Sequence, residues 1–130
     1  MAFTHIQGNS AYVGSGGDGH SVGLTGATAG NLIVVVAAVE TDGAPSVFSV
    51  SDGTTTLTAE SAYVHNSYMH SRVFYLLQAN GGNKTYTLTF TATPVAGAAS
   101  LIVMEFSYTG TCIRDAYTRA NGNSASANSG

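Results

Sequence analysis

The stretch Asn31-Leu-Ile-Val-Val-Val-Ala-Ala-Val-Glu40 decides the fold class. All residues from Leu32 to Val39 are apolar, and most are β-branched. Branched side chains are stiff at χ1 and pack well on a pleated surface, so the run predicts a strand buried on both faces at the centre of a sheet. Gly30 and Asn31 precede it and Asp42-Gly43 follow it, which leaves only about ten residues. That is short for a buried helix and far from the roughly 20 apolar residues a membrane-spanning helix needs.

Working outward, Leu101 to Tyr108 is a second strongly apolar strand. Thr85 to Thr93 alternates strictly, with Tyr86, Leu88 and Phe90 on one face and threonines on the other. This is the pattern of a sheet with one wet side. Phe3 to Gly8 reads as a first strand at an edge, His20 to Thr25 as a second, and Ser46 to Val50 as another. Asp52-Gly53 and Asn80-Gly81-Gly82-Asn83 carry the turn chemistry of hairpins, the first returning through Thr54 to Glu60. Tyr63 to Gln78 reads as two strands or one bent near Asn66-Ser67, and Cys112 to Thr118 as one more short strand. Eight or nine short strands with no helical period predict an all-β, antiparallel β-sandwich, jelly-roll or immunoglobulin-like. The sandwich is expected over residues 1–119. Residues 120–130 hold only Ala, Asn, Gly and Ser and read as a tail or linker.

Composition narrows the function classes. The 130 residues suffice for one domain with a real core, since 44 % are hydrophobic. Only 8 % are charged, against about a quarter in ordinary domains, and polarity comes from Ser, Thr, Asn and 16 Gly. The net charge is −3, and Arg72, Lys84, Arg114 and Arg119 are scattered. No basic footprint for nucleic acid or an acidic membrane surface results. Cys112 is the single cysteine, so no intrachain disulfide and no cysteine-based metal site can form. The start, Met-Ala-Phe-Thr-His-Ile-Gln, lacks a basic stretch followed by an apolar one, and no signal peptide is expected.

Four stretches together carry a likeness: Ala29-Gly-Asn-Leu-Ile-Val-Val-Val36; Val50-Ser-Asp-Gly-Thr-Thr-Thr-Leu-Thr58; Arg72-Val-Phe-Tyr75 with Asn80-Gly-Gly-Asn83; and Ser100-Leu-Ile-Val-Met-Glu-Phe-Ser107. Over roughly residues 27–110 the chain resembles a family of β-sandwich domains in bacterial surface proteins and phage tail- or virion-associated proteins. The resemblance implies a sandwich and a place in a virion or at a cell surface, but no one activity. Members of that family continue for several more strands past the Glu-Phe-Ser position. Either this chain is a piece of a longer one, or another subunit covers the edge left after Tyr108.

Two constellations could carry chemistry. Tyr68, His70 and Arg72 share a strand face at period two, with Tyr63 and His65 just before them. Rings that stack on sugars beside polar tips that hold hydroxyls would form a glycan platform. Glu105 shares a face with Leu101 and Val103, while Glu40 ends the central strand on the face of Leu32, Val34 and Val36. Carboxylates on neighbouring strands could act as acid and base of a glycosidase. His5, His20, His65 and His70 lack a metal-ligand spacing, and Asp18, Asp42 and Asp52 precede glycines as turn residues do, so no metal and no cofactor is expected. The leading expectation is a non-catalytic assembly or attachment module of a phage particle or bacterial surface fibre, self-associating or joined to other subunits. A carbohydrate-binding domain comes second and a small glycosidase third.

Overall fold

The apolar run forms strand β3 (Leu32–Glu40), and two neighbours flank it. In the computed structural model the described residues are 2–14, 19–42, 45, 47–60, 63–64, 68–90 and 98–114. The tail expected over 120–130 and the turn at Ser15–Asp18 lie outside them. The other strands are β1 (Phe3–Val13), β2 (Gly19–Ala27), β4 (Phe48–Ser51), β5 (Thr58–Ala59), β6 (Tyr63–Val64), β7 (Met69–Leu76), β8 (Gly82–Phe90) and β9 (Ala99–Tyr108). All pairings are antiparallel. The larger sheet runs β1-β9-β3-β7-β5, with β6 also on β7, and the smaller runs β2-β8-β4. The fold is the expected two-sheet β-sandwich.

Alternation decides what fills it. Ile33, Val35, Ala37 and Val39 of β3 face inward and are fully enclosed, together with Phe74, Leu101 and Val103 of the same sheet. Val22, Leu24, Val50, Tyr86, Leu88 and Phe90 meet them from the smaller sheet. Phe48 and Phe74 touch edge-on across the layer, with centroids 5.7 Å apart. Outward from the smaller sheet point Ser21, Ser49, Ser51, Thr85, Thr87 and Thr89. The wet threonine face read from the sequence is therefore present through Thr89, while Thr91 and Thr93 lie outside the described residues.

Four readings need correction. β3 is enclosed on one face only: Leu32, Val34, Val36 and Ala38 are half-buried, because the smaller sheet covers a single side. The glycine-rich turns do not return long strands within one sheet, although Asp52-Gly53 closes a short antiparallel return in which the Leu57 N–H donates to the Val50 carbonyl. After Asp52-Gly53 the chain makes one bridge, Ser51 to Thr56, and then crosses to the larger sheet as β5. The Asn80–Asn83 turn likewise carries the chain from β7 in one sheet to β8 in the other. Finally, residues 111–114 form no strand, and the edge expected after Tyr108 is not open. β9 lies between β1 and β3, so the edge strand there is β1. For the turns and the edge the reason is the same, since pairing partners far along the chain set which sheet a strand joins.

Candidate functional site

Two members of the proposed glycan platform, His70 and Arg72, face inward. The strand alternation that puts His70 and Arg72 on one face puts that face toward the other sheet. His70 is buried opposite Val39, and its Nε2 has no hydrogen-bond partner among the described residues. Arg72, opposite Ala37, donates from Nε to the Glu60 carbonyl and from Nη1 to the Phe48 carbonyl at 3.1 Å. Its guanidinium also lies 5.7 Å from the Phe74 ring centroid. It thus ties the β4 edge of the smaller sheet to the larger one. Tyr68 is exposed just before β7, Tyr63 is known here only as backbone of β6, and His65 lies outside the described residues.

The two glutamates are also kept apart. Glu105 pairs in register with Ile33, so it faces the core, seven residues along β3 from Glu40 on the outer face. That is about 23 Å along the strand. A glycosidase needs its carboxyls within roughly 5–9.5 Å of each other. Glu105 is wholly enclosed and is held by Gln7 Nε2 at 2.6 Å, the Thr28 N–H at 2.8 Å and Asn31 Nδ2 at 2.6 Å. Burial pushes its pKa up, but these donors outweigh burial and leave the carboxyl below its ordinary value. Sequence reading missed a second such group. Asp52 accepts from the backbone N–H of Thr54 and Thr55 and from Asn80 Nδ2, with Lys84 Nζ 3.8 Å away. Burial opposes ionisation there too, and again the donors and the cation win. Between these charges, burial pushes the Tyr86 phenol up to about 12, with Asp52 and Glu105 adding to it. These groups staple loops at one end of the sandwich; they are not presented to a substrate.

What the larger sheet does present is its outer face. In-register rungs cross four strands: Tyr12, Ser100, Ala38 and Ser71; then Ser10, Ile102, Val36 and Val73; then Gly8, Met104, Val34 and Tyr75. Below them His5, Phe106 and Leu32 form a fourth rung, with His5 edge-on to Phe106 at 5.4 Å, and Phe3 meets Tyr108 at 6.1 Å. Ile102 is 45 % exposed and Tyr12 70 %. None of these residues is Asp, Glu, Lys or Arg. One end of the face is strapped by the chain itself. Gly110, at φ +87°, turns the backbone after β9, and Cys112, Ile113 and Arg114 come to lie over Leu32, Val34 and Tyr75 around a hollow of about 240 Å³. Both carboxylate oxygens of Glu60 accept from the Arg114 guanidinium. The strap adds an apolar side chain, since Ile113 is 68 % exposed. At the other end Glu40, Tyr12 and Met69 line a shallow hollow of about 210 Å³.

Comparison with protein-family models, curated proteins and solved structures returns no match. The functional reading therefore stands on this geometry.

The signal for this face was in the sequence. Leu32 to Val39 and Leu101 to Met104 are apolar in both parities, and only one parity is needed for the core.

Proposed function

We propose that the chain is a non-catalytic structural module that works by assembly or attachment, docking through the outer face of its larger sheet within a phage particle or bacterial surface fibre. One observation carries the reading: the two outer faces of one sandwich differ in kind. The smaller sheet turns serine and threonine to solvent, as an antiparallel sheet in water does. The larger sheet turns out Leu32, Val34, Val36, Val73, Ile102, Met104 and Phe106, with Ser10, Ser71 and Ser100 toward one end. Monomeric proteins seldom expose a continuous apolar patch above a few hundred Å², and such patches mark docking sites.

The strand order supports a jelly-roll over an immunoglobulin arrangement. The first two strands of an immunoglobulin domain share a sheet, whereas here β1 and β2 lie in different sheets. The resemblance over residues 27–110 to surface and virion sandwich domains supports the setting, as does the low density of charge.

In cells that make the protein, the chain should sediment in a high-mass fraction. Ile102→Lys, which puts a charge in the middle of the face, should shift it to the small soluble fraction. Recovery of the unaltered chain only as a small soluble species removes the reading.

A further inference from the structure

We infer that the occupant of this face is a second copy of the chain, stacked sheet on sheet about a two-fold axis with Val36 and Ile102 near its centre. The inference rests on the assembly reading and deepens it by naming the partner.

Size is the first argument. Four strands about 4.8 Å apart and some nine residues long at about 3.3 Å each give a footprint of roughly 600 Å² per copy. Two copies would then bury about 1,200 Å², the lower bound of specific interfaces. The strap overlies the Leu32, Val34 and Tyr75 corner of this footprint and contributes the exposed Ile113 to it.

Charge is the second. The rungs from Tyr12 to His5 hold no Asp, Glu, Lys or Arg; the nearest charges are Glu40 at one end and the neutralised Glu60–Arg114 pair beside the strap over Leu32, Val34 and Tyr75. A charged face meeting its own copy places like charges together and is repelled. An uncharged face meets no such penalty, and it equally lacks the charges by which a foreign partner is usually selected.

Shape is the third. Two copies of one sheet have the same twist, and sheets of matched twist stack about 10 Å apart with strands within about 30° of each other. This protein already packs the other side of the same sheet against a second sheet. A two-fold contact is self-complementary, so every substitution enters it twice. The chain beyond Arg114 is a poor alternative cover, since residues 115–130 contain one tyrosine and no Val, Ile, Leu, Met or Phe.

The test is light scattering on the purified full chain from about 1 to 200 μM, the range in which an interface of this size associates. Three proteins are compared: the unaltered chain, Ile102→Lys, and Thr87→Lys on the hydroxyl face. Circular dichroism checks that each is folded, and the exposure of Ile102 makes its substitution compatible with the fold. The expected masses are twice 13.2 kDa for the unaltered chain and for Thr87→Lys, and 13.2 kDa for Ile102→Lys. A dimer that survives Ile102→Lys overturns the inference, because the contact then lies elsewhere. A monomer at every concentration also overturns it. If that monomer still enters the high-mass cellular fraction, only the second copy is lost. If it stays out, the assembly reading falls as well.

Discussion

Replacing Glu105 by glutamine keeps its shape and removes its charge, so it isolates what the buried carboxylate does. Oε1 takes the Thr28 N–H and Asn31, and an amide oxygen can still do so. Oε2 takes Gln7 Nε2, which an amide NH₂ cannot accept, and turning Gln7 over would forfeit its second bond to the Thr25 carbonyl. Glu105→Gln should therefore cost about 2 kcal/mol, measured by urea unfolding. The pH dependence has a fixed sign. Glu105 and Asp52 both have folded pKa values below their unfolded ones near 4, so their stabilisation is complete above that value and lost as pH falls through the folded values. The contribution of these two carboxylates to the unfolding free energy should be flat from pH 8 to about 5 and drop below about 4. The drop should be shallower in Glu105→Gln, and an equally steep one would mean that Glu105 is not the linked group. The sequence showed which way Glu105 points, because Leu101 and Val103 share its face. It could not show that the site is closed, because the donors stand 98, 77 and 74 residues away.

At the scale of elements, turn chemistry was legible and turn destination was not. Asp52-Gly53 does form the local turn its residues specify, with Asp52 Oδ1 accepting from Thr54 and Thr55 two and three residues on. Whether the chain then returns in the same sheet or crosses depends on strands elsewhere, and both turns cross. Crossing brings loops from different layers into close contact. At Gly81 a Cβ would stand 2.9 Å from the Ala29 backbone nitrogen and 3.2 Å from the Ala27 carbonyl oxygen, neither of which can swing aside. Gly81→Ala should lower stability by about 1–3 kcal/mol. Gly23, in the middle of β2, is the contrast: its nearest neighbour would be the Lys84 carbonyl oxygen at 3.7 Å, an ordinary contact. Gly23→Ala should be neutral or stabilise by about 0.5 kcal/mol, by restricting the unfolded chain. Thermal unfolding of the pair reads both signs. Equal effects would mean that the β7–β8 crossing is not packed on the β2–β3 loop.

For the whole molecule, the two faces of the larger sheet draw on the same apolar alternation. The period of two told which residues lie together, as with Ile33, Val35, Ala37 and Val39 against Leu32, Val34, Val36 and Ala38. It could not tell that only the first set is closed off by the second sheet, and so both were read as core. A dimer built on the second set has a thermodynamic consequence that a monomer lacks. Unfolding then separates two chains, so stability depends on protein concentration by mass action. Each tenfold rise in concentration adds about 1.4 kcal/mol per mole of dimer. With an unfolding enthalpy of about 0.7 kcal/mol per residue over two chains, this raises the melting temperature by about 3 °C. The unaltered chain and Thr87→Lys should show that slope, whereas Ile102→Lys should melt at one temperature throughout, below the unaltered chain at high concentration. A melting temperature independent of concentration in all three would leave Val36, Ile102 and Met104 in water in the folded protein, and the second copy would have no place.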